Sequence, residues 1–392
     1  MVRQRLAGTQ DGSSANRRPP RARRRERDVS EQLTAEELGE RVFHSALAGL
    51  ETLSIHLGDT LGWYRSLADD GPATADELAA RTSTTPRYAR EWLEQQAVAG
   101  YLTVADDAGG EAADRRFALT AAAREVFTDG ESLSYLAPLA RLVAAVGVQM
   151  PGLQRAYRDG GGVGWAQFGD DMRTAQADMN RPWYRHELPG VLAALPGVHD
   201  RLARPGARIL DIGCGAGHST VALATAYPQA TVLGIDIDAP SVELARQAAV
   251  DGGVADRVEF RVGDASAPDL RPGSDARFTA AFAFECIHDM PRPVDVLRQV
   301  HDVLDPQGVM VVMDEATAEA FAPNGDEVER MLYAFSVTVC LPDGLSSSPS
   351  VGTGTVMRPD TLRRYASEAG FSDVEVLPTG EFGFWRFYAL NP

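Results

Sequence analysis

A short stretch near the middle of the chain constrains the fold more than any other feature. Residues 207–217, ARILDIGCGAG, have the pattern of a hydrophobic strand that ends in an acidic residue and a turn with three glycines, and a helical pattern, STVALATAY, follows. Strand, glycine turn and helix in this order are a unit of a parallel α/β sheet. The glycines allow positive φ angles and a close approach of the backbone to a ligand.

The spacing of these glycines decides between two kinds of ligand. The dinucleotide pattern G-x-G-x-x-G, when it starts at Gly213, requires glycine at its sixth position, where the chain has His218. The pattern acid-x-G-x-G-x-G, with Asp211 as the acid, fits without change. Because a glycine turn alone is weak evidence, the following strands have to be considered with it.

Two further strand patterns also end in acids. TVLGIDID ends at Asp236, whose carboxylate can accept both hydroxyls of a ribose, and Ile237 after it can pack on an adenine face. VEFRVGDAS ends at Asp264, which can accept a hydrogen bond from the adenine amino group, with Ala265 beside it. Each acid alone could be a loop cap, but three acids at consecutive strand ends are a joint signal for a nucleoside ligand.

The N-terminal part has the pattern of a helical module. An apolar stripe runs from Leu38 to Leu61, Ala75–Arg81 form a short helix, and Thr85 is a candidate N-cap with Pro86 at the first position of a second helix. YLTVA and RFALT, on either side of a polar stretch, indicate a β-hairpin. Together these elements resemble a winged helix.

The remaining strand patterns connect the sequence to a known family. FTAAFAF runs into ECIHDM, and LDPQG turns into VMVVMDE. In order and spacing, DIGCGAG, GIDID, VGDA, IHD and LDPQG resemble the motifs of class I S-adenosylmethionine (SAM) dependent methyltransferases over residues 200–392. This implies a Rossmann-like α/β fold with a seven-stranded sheet in the order 3-2-1-4-5-7-6, and DVEVLP and FGFWRFYAL supply an antiparallel pair at its edge.

The same resemblance implies the cofactor site. The implied residues are Asp211, Gly213, Gly215, Gly217, Asp236, Ile237, Asp264, Ala265 and Phe284. The first acid and the glycines would surround the methionine part of SAM, and the acids of the next two strands, with the apolar residue after each, would hold ribose and adenine. The implied reaction is a direct SN2 displacement that yields S-adenosylhomocysteine (SAH) and needs no metal.

A narrower resemblance concerns the catalytic residues. The winged helix, a helical middle and the IHD after strand four are similar to two-domain small-molecule methyltransferases of the O-methyltransferase type, in which the histidine is the base. Here the motif is His288, Asp289 and Met290, with methionine where plant members have tryptophan. Strands four and five are expected to be neighbours, about 4.8 Å apart, which puts Glu315 near the histidine. The candidate catalytic set is therefore His288, Asp289 and Glu315, although the histidine could instead only cap the following helix.

The domain organisation predicted from these patterns has four parts. Residues 1–30 form a disordered arginine-rich arm, 31–130 a winged-helix and dimerisation domain, 131–200 a helical linker and substrate-lid segment, and 201–392 the SAM-binding domain. The arm holds nine arginines and three acids, so the rest of a chain of net charge −17 carries −23. Because an acidic body is repelled by phosphate backbones, nucleic acid is an unlikely partner, and a small-molecule acceptor and a second copy of the chain are the expected ones.

The composition argues against several other classes of protein, but it leaves the acceptor atom and one rival function open. Three widely spaced cysteines argue against disulfide scaffolding and structural zinc, and no apolar run reaches the roughly 18 residues of a membrane span, so a cytoplasmic protein is expected. The acceptor atom stays open among oxygen, nitrogen, carbon and a carboxylate. A winged-helix regulator that binds SAM or a metabolite without catalysis is the rival from another class.

Overall fold

The computed structural model describes residues 33–104, 113–267, 277–379 and 384–392. The predicted arginine-rich arm lies outside these residues. By its contacts the chain separates into two compact units, Met1–Arg124 and Glu125–Pro392. The division falls within one helix, Ala121–Thr128. Among the described residues, no helix is both long enough and apolar enough to cross a membrane.

The first unit contains the helices and the hairpin expected of a winged helix. Its elements are α1 (Ala35–Thr60), α2 (Trp63–Asp69), α3 (Ala75–Thr82), α4 (Pro86–Val98), β1 (Leu102–Val104) and β2 (Phe117–Leu119), followed by α5 (Ala121–Thr128). The two strands pair antiparallel. Pro86 is the first residue of α4 as predicted, but the Thr85 side chain makes no capping hydrogen bond.

Helix α1 carries an apolar face that is exposed among the residues that the structure describes. A capping box of Thr34 and Glu37 fixes its N-terminus. Seven of its large apolar side chains are 43% to 68% exposed. They include Leu38, Val42, Phe43, Leu47, Leu50, Leu53 and Leu57. Such a contiguous apolar surface is typical of an interaction face.

The second unit begins with helices and continues into alternating strands and helices. The helices are α6 (Ala137–Asp159), α7 (Trp165–His186), α8 (Leu188–Ala193), α9 (Pro196–Leu202), α10 (His218–Ala226), α11 (Ala239–Asp251), α12 (Pro293–Val303), α13 (Glu327–Phe335), a π-helix (Ser336–Cys340), α14 (Leu341–Gly344) and α15 (Pro359–Ala369). Helix α7 is interrupted at Gly169, where φ is 78° and ψ is −166°. The segment 131–200 is thus mainly helical, and its role as a substrate lid stays a prediction.

A seven-stranded sheet forms the centre of this unit. Its strands are β3 (Arg208–Ile212), β4 (Thr231–Asp236), β5 (Val258–Val262), β6 (Phe278–Phe284), β7 (Leu304–Glu315), β8 (Asp373–Val376) and β9 (Trp385–Asn391). The order β5-β4-β3-β6-β7-β9-β8, with β9 antiparallel to both neighbours, is the predicted topology and confirms the fold class. One detail differs from the prediction. LDPQG forms the first residues of β7 instead of a turn before it, and the register of β7 against β6 shifts there.

The two faces of the sheet bury separate cores. Along β6, Ala280 and Phe282 face one core and Ala281 and Ala283 face the other, as the alternation of side chains along a strand requires. Strands β3 and β6 are parallel neighbours, and the chain order reverses between them. In open α/β sheets ligands bind beyond the carboxyl ends of the strands at such a reversal, which is where the predicted site residues lie.

Candidate active site

The glycine turn after β3 has the conformation that its sequence requires. Gly213, Gly215 and Gly217 have φ angles of 62°, 51° and 78°, which side chains with a Cβ rarely adopt. A Cβ at Gly213 would lie 2.9 Å from the Cys286 sulfur, whereas one at Gly215 would meet open space. The turn therefore presents open backbone at its middle glycine. His218 follows as the first residue of α10, and burial, with the charge of Arg181, lowers its pKa to about 4.

Asp211 lies at the end of β3 and is fully buried. Its Oδ2 accepts hydrogen bonds from the hydroxyls of Ser219, at 2.7 Å, and Thr220, at 2.5 Å, in the first turn of α10. Its Oδ1 has no hydrogen-bond partner among the described residues. Burial raises the pKa of Asp211 to about 6 against the effect of these hydroxyls. A buried carboxylate oxygen without a donor is costly, so a hydrogen bond from a ligand would stabilise it.

Asp236 ends β4 and holds the glycine turn. Its Oδ2 accepts from the Gly215 N–H and its Oδ1 from the Asp238 N–H, each at 2.8 Å. Burial raises the pKa of Asp236, although the two backbone donors oppose the shift. Ile237, directly after it, is 71% exposed. The predicted contacts of Asp236 with ribose hydroxyls and of Ile237 with adenine stay predictions.

Asp264, two residues after β5, is already paired within the chain. It accepts from the N–H and hydroxyl of Ser266, and Arg292 Nη2 lies 2.7 Å from its Oδ2. Burial by itself would raise the pKa of Asp264, but Ser266 and the guanidinium outweigh it and lower the pKa. Ala265 is buried in the core below. The structure thus adds Arg292, which the sequence reasoning missed, to the predicted adenine end.

Phe284 is the last residue of β6 and is buried. Its ring stacks on Phe282 with centroids 5.5 Å apart and meets the Tyr184 ring edge to face. These contacts make Phe284 part of the hydrophobic core. Its predicted contact with a cofactor stays a prediction.

His288 lies in the loop after β6 and is 2% exposed. Its Nδ1 is 2.8 Å from Asp314 Oδ1 and 3.2 Å from Glu315 Oε2, both at the end of β7. Its Nε2 is 3.4 Å from Asp289 Oδ1. The structure therefore brings the three predicted catalytic residues together. Asp314, which makes the shortest contact with the imidazole, was not among them.

The carboxylates around His288 dominate its charge state. Burial by itself would lower the pKa of His288, but the charges of Asp314, Glu315 and Asp289 outweigh it and raise the pKa well above the ordinary value. In turn, burial raises the pKa of Glu315 to about 7 in spite of the nearby imidazole. The arrangement stabilises an imidazolium, and so makes the neutral ring a stronger base.

Two more groups reach this cluster from the π-helix and α14. The Cys340 thiol contacts His288, and burial raises the pKa of this thiol to about 12. Burial and the Asp289 charge raise the pKa of Asp343 to about 7, although this carboxylate accepts from the Trp165 N–H at 2.7 Å. Ligand atoms of His288, Asp314 and Glu315 lie within 4.8 Å of one another, as do those of His288, Asp289 and Cys340, so either set could hold a cation. That the reaction needs no metal stays a prediction.

A buried ion pair connects α7 to the loop after β4. Arg173 donates from Nε to Asp238 Oδ2 at 2.6 Å and from Nη2 to Oδ1 at 3.1 Å, and both side chains are 6% exposed. The same carboxylate caps α11 by accepting from the N–H and hydroxyl of Ser241. The pair fixes α7 beside the residue that holds the glycine turn. Sequence patterns gave no signal for it, because the two residues are far apart in the chain.

Comparison with known sequences finds methyltransferases that are similar to this chain. A family model described as a methyltransferase domain matches residues 203–348. A 27-O-demethylrifamycin SV methyltransferase of Amycolatopsis mediterranei is 35% identical over 159 residues, which are 39% of this chain and 57% of that protein. The O-methyltransferase rstn1 of Aspergillus nomiae is 34% identical over 170 residues, 43% of this chain and 66% of that protein. The chain thus spans little more than half of the first of these relatives.

Solved structures match over nearly the whole chain. The mitomycin 7-O-methyltransferase MmcR superposes with a TM-score of 0.65 at 21% identity, covering 91% of this chain and 98% of that one. Human N-acetylserotonin methyltransferase in complex with SAM gives a TM-score of 0.66 at 17% identity, covering 93% and 99%. At these identities the likeness concerns the fold.

Proposed function

We propose that this chain, whose second unit is a class I SAM-dependent methyltransferase domain, methylates an oxygen of a small-molecule acceptor with His288 as the general base. The observation that carries the proposal is the imidazole at the carboxyl edge of the sheet, 2.8 Å from Asp314 and 3.2 Å from Glu315. In general-base catalysis, a carboxylate commonly holds one nitrogen of an imidazole and thereby orients the other nitrogen towards the proton that it removes.

The residues at the glycine turn fit the cofactor of this domain. The unpartnered Asp211 Oδ1 and the open side of Gly215 offer an acceptor and backbone space, and Asp236 and Ile237 offer a carboxylate and an apolar surface. When bound, SAM supplies a methyl group on a sulfonium, which is a good leaving group. These residues would then hold its methionine, ribose and adenine parts, with Asp264 at the adenine end.

His288 and the side chains around it then remove the proton of the acceptor. The imidazole takes the proton of the acceptor on Nε2, and Asp314 and Glu315 fix the Nδ1 tautomer and stabilise the imidazolium. Asp289, 3.4 Å from Nε2, adds to this stabilisation. Burial of the cluster excludes water and strengthens these interactions.

The direct test is methyl transfer by the purified chain. Incubation with SAM and a panel of phenols and alcohols, with a chelator present, is expected to produce SAH only with an accepted compound. Amines and carboxylic acids in the same panel serve as the alternative acceptors. Binding of a nicotinamide dinucleotide without binding of SAM, or SAH formation that a chelator abolishes, would contradict the proposal.

The rate of transfer is expected to rise with pH. Because the base must be neutral and its pKa is raised, the rate increases as pH rises through the raised pKa, above the ordinary value of 6.5. Asp314→Asn removes the largest charge that raises this pKa, so the rise should move to lower pH and the limiting rate should fall, since the ring becomes a weaker base. A pH–rate profile of both proteins measures this, and an unshifted profile in the variant would argue against the coupling.

The exposed face of α1 is proposed to pair with a second copy of the chain. Its leucines, valine and phenylalanine are too exposed for a lone helix in water. Light scattering is expected to give about twice the 42.1 kDa chain mass. Leu50→Glu, on the exposed stripe, should lower this mass towards the monomer, whereas Leu244→Glu, a partly exposed leucine of α11, should not. A monomer at micromolar concentration would contradict the assignment.

The names of the relatives support a proposal for the setting of the reaction. A rifamycin enzyme and fungal O-methyltransferases are among them, which supports a role in natural-product biosynthesis. A cytoplasmic location remains part of the proposal. Nitrogen, carbon or carboxylate acceptors, and a regulatory winged helix, are the alternatives, of which the transfer assay tests the nitrogen and carboxylate acceptors directly.

A further inference from the structure

An acid of helix α14 lies beside the motif that contains His288. The helix packs directly on this motif, since a Cβ at Gly344 would lie 3.0 Å from the Asp289 carbonyl oxygen. Asp343 precedes that glycine, and its carboxylate is close enough to Asp289 and His288 to interact with the charges of both. The Asp289 side chain is 28% exposed and Asp343 is half-buried. These two carboxylates therefore form the accessible side of the cluster around His288.

The cluster holds more negative charge than its own residues balance. Within the described parts of the chain, the ion pairs of Asp289, Asp314 and Glu315 all lead to His288, and Asp343 forms none. A general base must be neutral before it takes a proton, so the ring does not balance these charges when the acceptor binds. A cation on the acceptor would balance them.

Two oxygens of the cluster lack a donor. Oδ1 of Asp289 and Oδ2 of Asp314 are buried and accept no hydrogen bond from the residues that the structure describes. The Asp314 side chain is only 2% exposed. Asp289 has a neutral donor in the Cys340 thiol, and Asp343 has one in the Trp165 N–H. Neutral donors orient the carboxylates without cancelling their charge, and a buried oxygen without a donor favours a charged one from a ligand.

An apolar surface borders the same acids. Cys340 and Trp165, the two neutral donors, pack against a buried apolar cluster of α6, α7 and the π-helix, which includes Phe168 and Val339. A molecule that reaches the acids therefore meets apolar side chains next to negative charge. This combination suits an apolar body that carries one cationic group.

We propose, on the basis of the proposed function, that the acceptor carries a basic amine whose ammonium group binds to Asp289 and Asp343 while its hydroxyl faces His288. Asp289 Oδ1 is 3.4 Å from the imidazole Nε2, a spacing that suits an amine and a hydroxyl one or two carbons apart. The acids keep the amine protonated, and so without the lone pair that methyl transfer to nitrogen requires.

The ammonium group also assists the transfer to oxygen. A positive charge lowers the pKa of a neighbouring hydroxyl, which eases the removal of its proton. The hydroxyl oxygen forms its bond to the methyl carbon, the carbon–sulfur bond breaks with its electron pair left on sulfur, and the proton goes to Nε2 of His288. Asp343 is thus a binding residue that determines specificity.

Isosteric pairs of acceptors test the assignment by calorimetry on the protein saturated with SAH. Phenylethanolamine and ortho-aminomethylphenol are the amines, and in the partner of each a methyl group replaces the ammonium group. The wild type is expected to bind each amine roughly 10- to 100-fold more tightly than its partner, the range for hydrogen bonds to charged groups. Asp343→Asn keeps an oxygen for the Trp165 N–H and should reduce this ratio roughly tenfold. Asp373→Asn, an exposed acid on β8, is the matched control and should keep the ratio of the wild type.

The ratio is diagnostic because a purely structural defect weakens both members of a pair alike. Equal affinity within both pairs, no binding of either amine, or an unchanged ratio in Asp343→Asn overturns the assignment. Zinc or magnesium ions that bind the SAH complex at micromolar concentration and displace the amine would make the cluster a metal site instead. If the variant does not fold, the wild type decides: preference for either amine supports the assignment, and equal affinity overturns it.

Failure of the proposed function has a different outcome. Methylation of the amine nitrogen, or a wild type that binds neither SAM nor SAH, would refute oxygen transfer itself. Methylation of the neutral partners at oxygen, with no preference for the amines, would refute only the ammonium site.

Discussion

His288→Ala is expected to lower the single-turnover rate of methyl transfer to a phenol or alcohol by roughly 100-fold or more, the usual contribution of a general base. The affinity for SAM should persist, because the imidazole contacts carboxylates of β7 and not the glycine turn. Single-turnover measurement with saturating SAM separates the chemical step from binding. Glu315→Gln should cost less, since it disturbs the imidazole without removing the base.

Controls are needed because the variant leaves Asp314 and Glu315 buried without their cationic neighbour. Thermal unfolding of His288→Ala shows whether the fold persists. His301→Ala is the matched histidine control: this residue lies in the last turn of α12, at the opposite end of the strands, and its loss should leave the rate unchanged. An unchanged rate in His288→Ala would end the base assignment and point to a carboxylate or another acceptor that needs no deprotonation.

The sheet could be predicted because its signals are local. The central parallel strands β3, β4 and β6 are buried hydrophobic runs, and the glycine turn after Ile212 fixes where the first one ends. The proximity of His288 to Glu315 followed from the same logic, because neighbouring parallel strands end at one edge. In the fold, the departures were few, such as the bulge at LDPQG, where a turn sequence continues the strand.

The missed residues have physical reasons. Adjacent residues of a strand point to opposite faces, which gives no reason to pair both Asp314 and Glu315 with His288, yet both approach the imidazole at the strand end. Two consecutive acids at the end of a buried strand were the available signal. Arg173 and Asp238 meet only through tertiary packing, and no residue pattern predicts a left-handed conformation at Glu285.

Asp236→Ala is expected to weaken SAM and SAH binding by about 1.5–3 kcal/mol, roughly 10- to 150-fold, the scale of charge-assisted hydrogen bonds. Two effects combine in this loss. The carboxylate proposed for the ribose hydroxyls disappears, and the Gly215 N–H, 2.8 Å from it, loses the acceptor that holds the glycine turn. Asp236→Asn retains one carbonyl oxygen for a backbone donor, so it should keep the turn in place and lose less affinity than alanine.

Titration calorimetry of the wild type and both variants measures these differences. Asp200→Ala, an exposed acid on α9, is the control for a change of charge and should bind as the wild type does. The expected order of affinity is wild type, then asparagine, then alanine, because the charge contributes to binding in addition to the geometry of the turn. If alanine bound SAM as tightly as the wild type, neither the carboxylate nor the turn that it anchors would contribute to the site, and the three acids at successive strand ends would have to be read as loop caps.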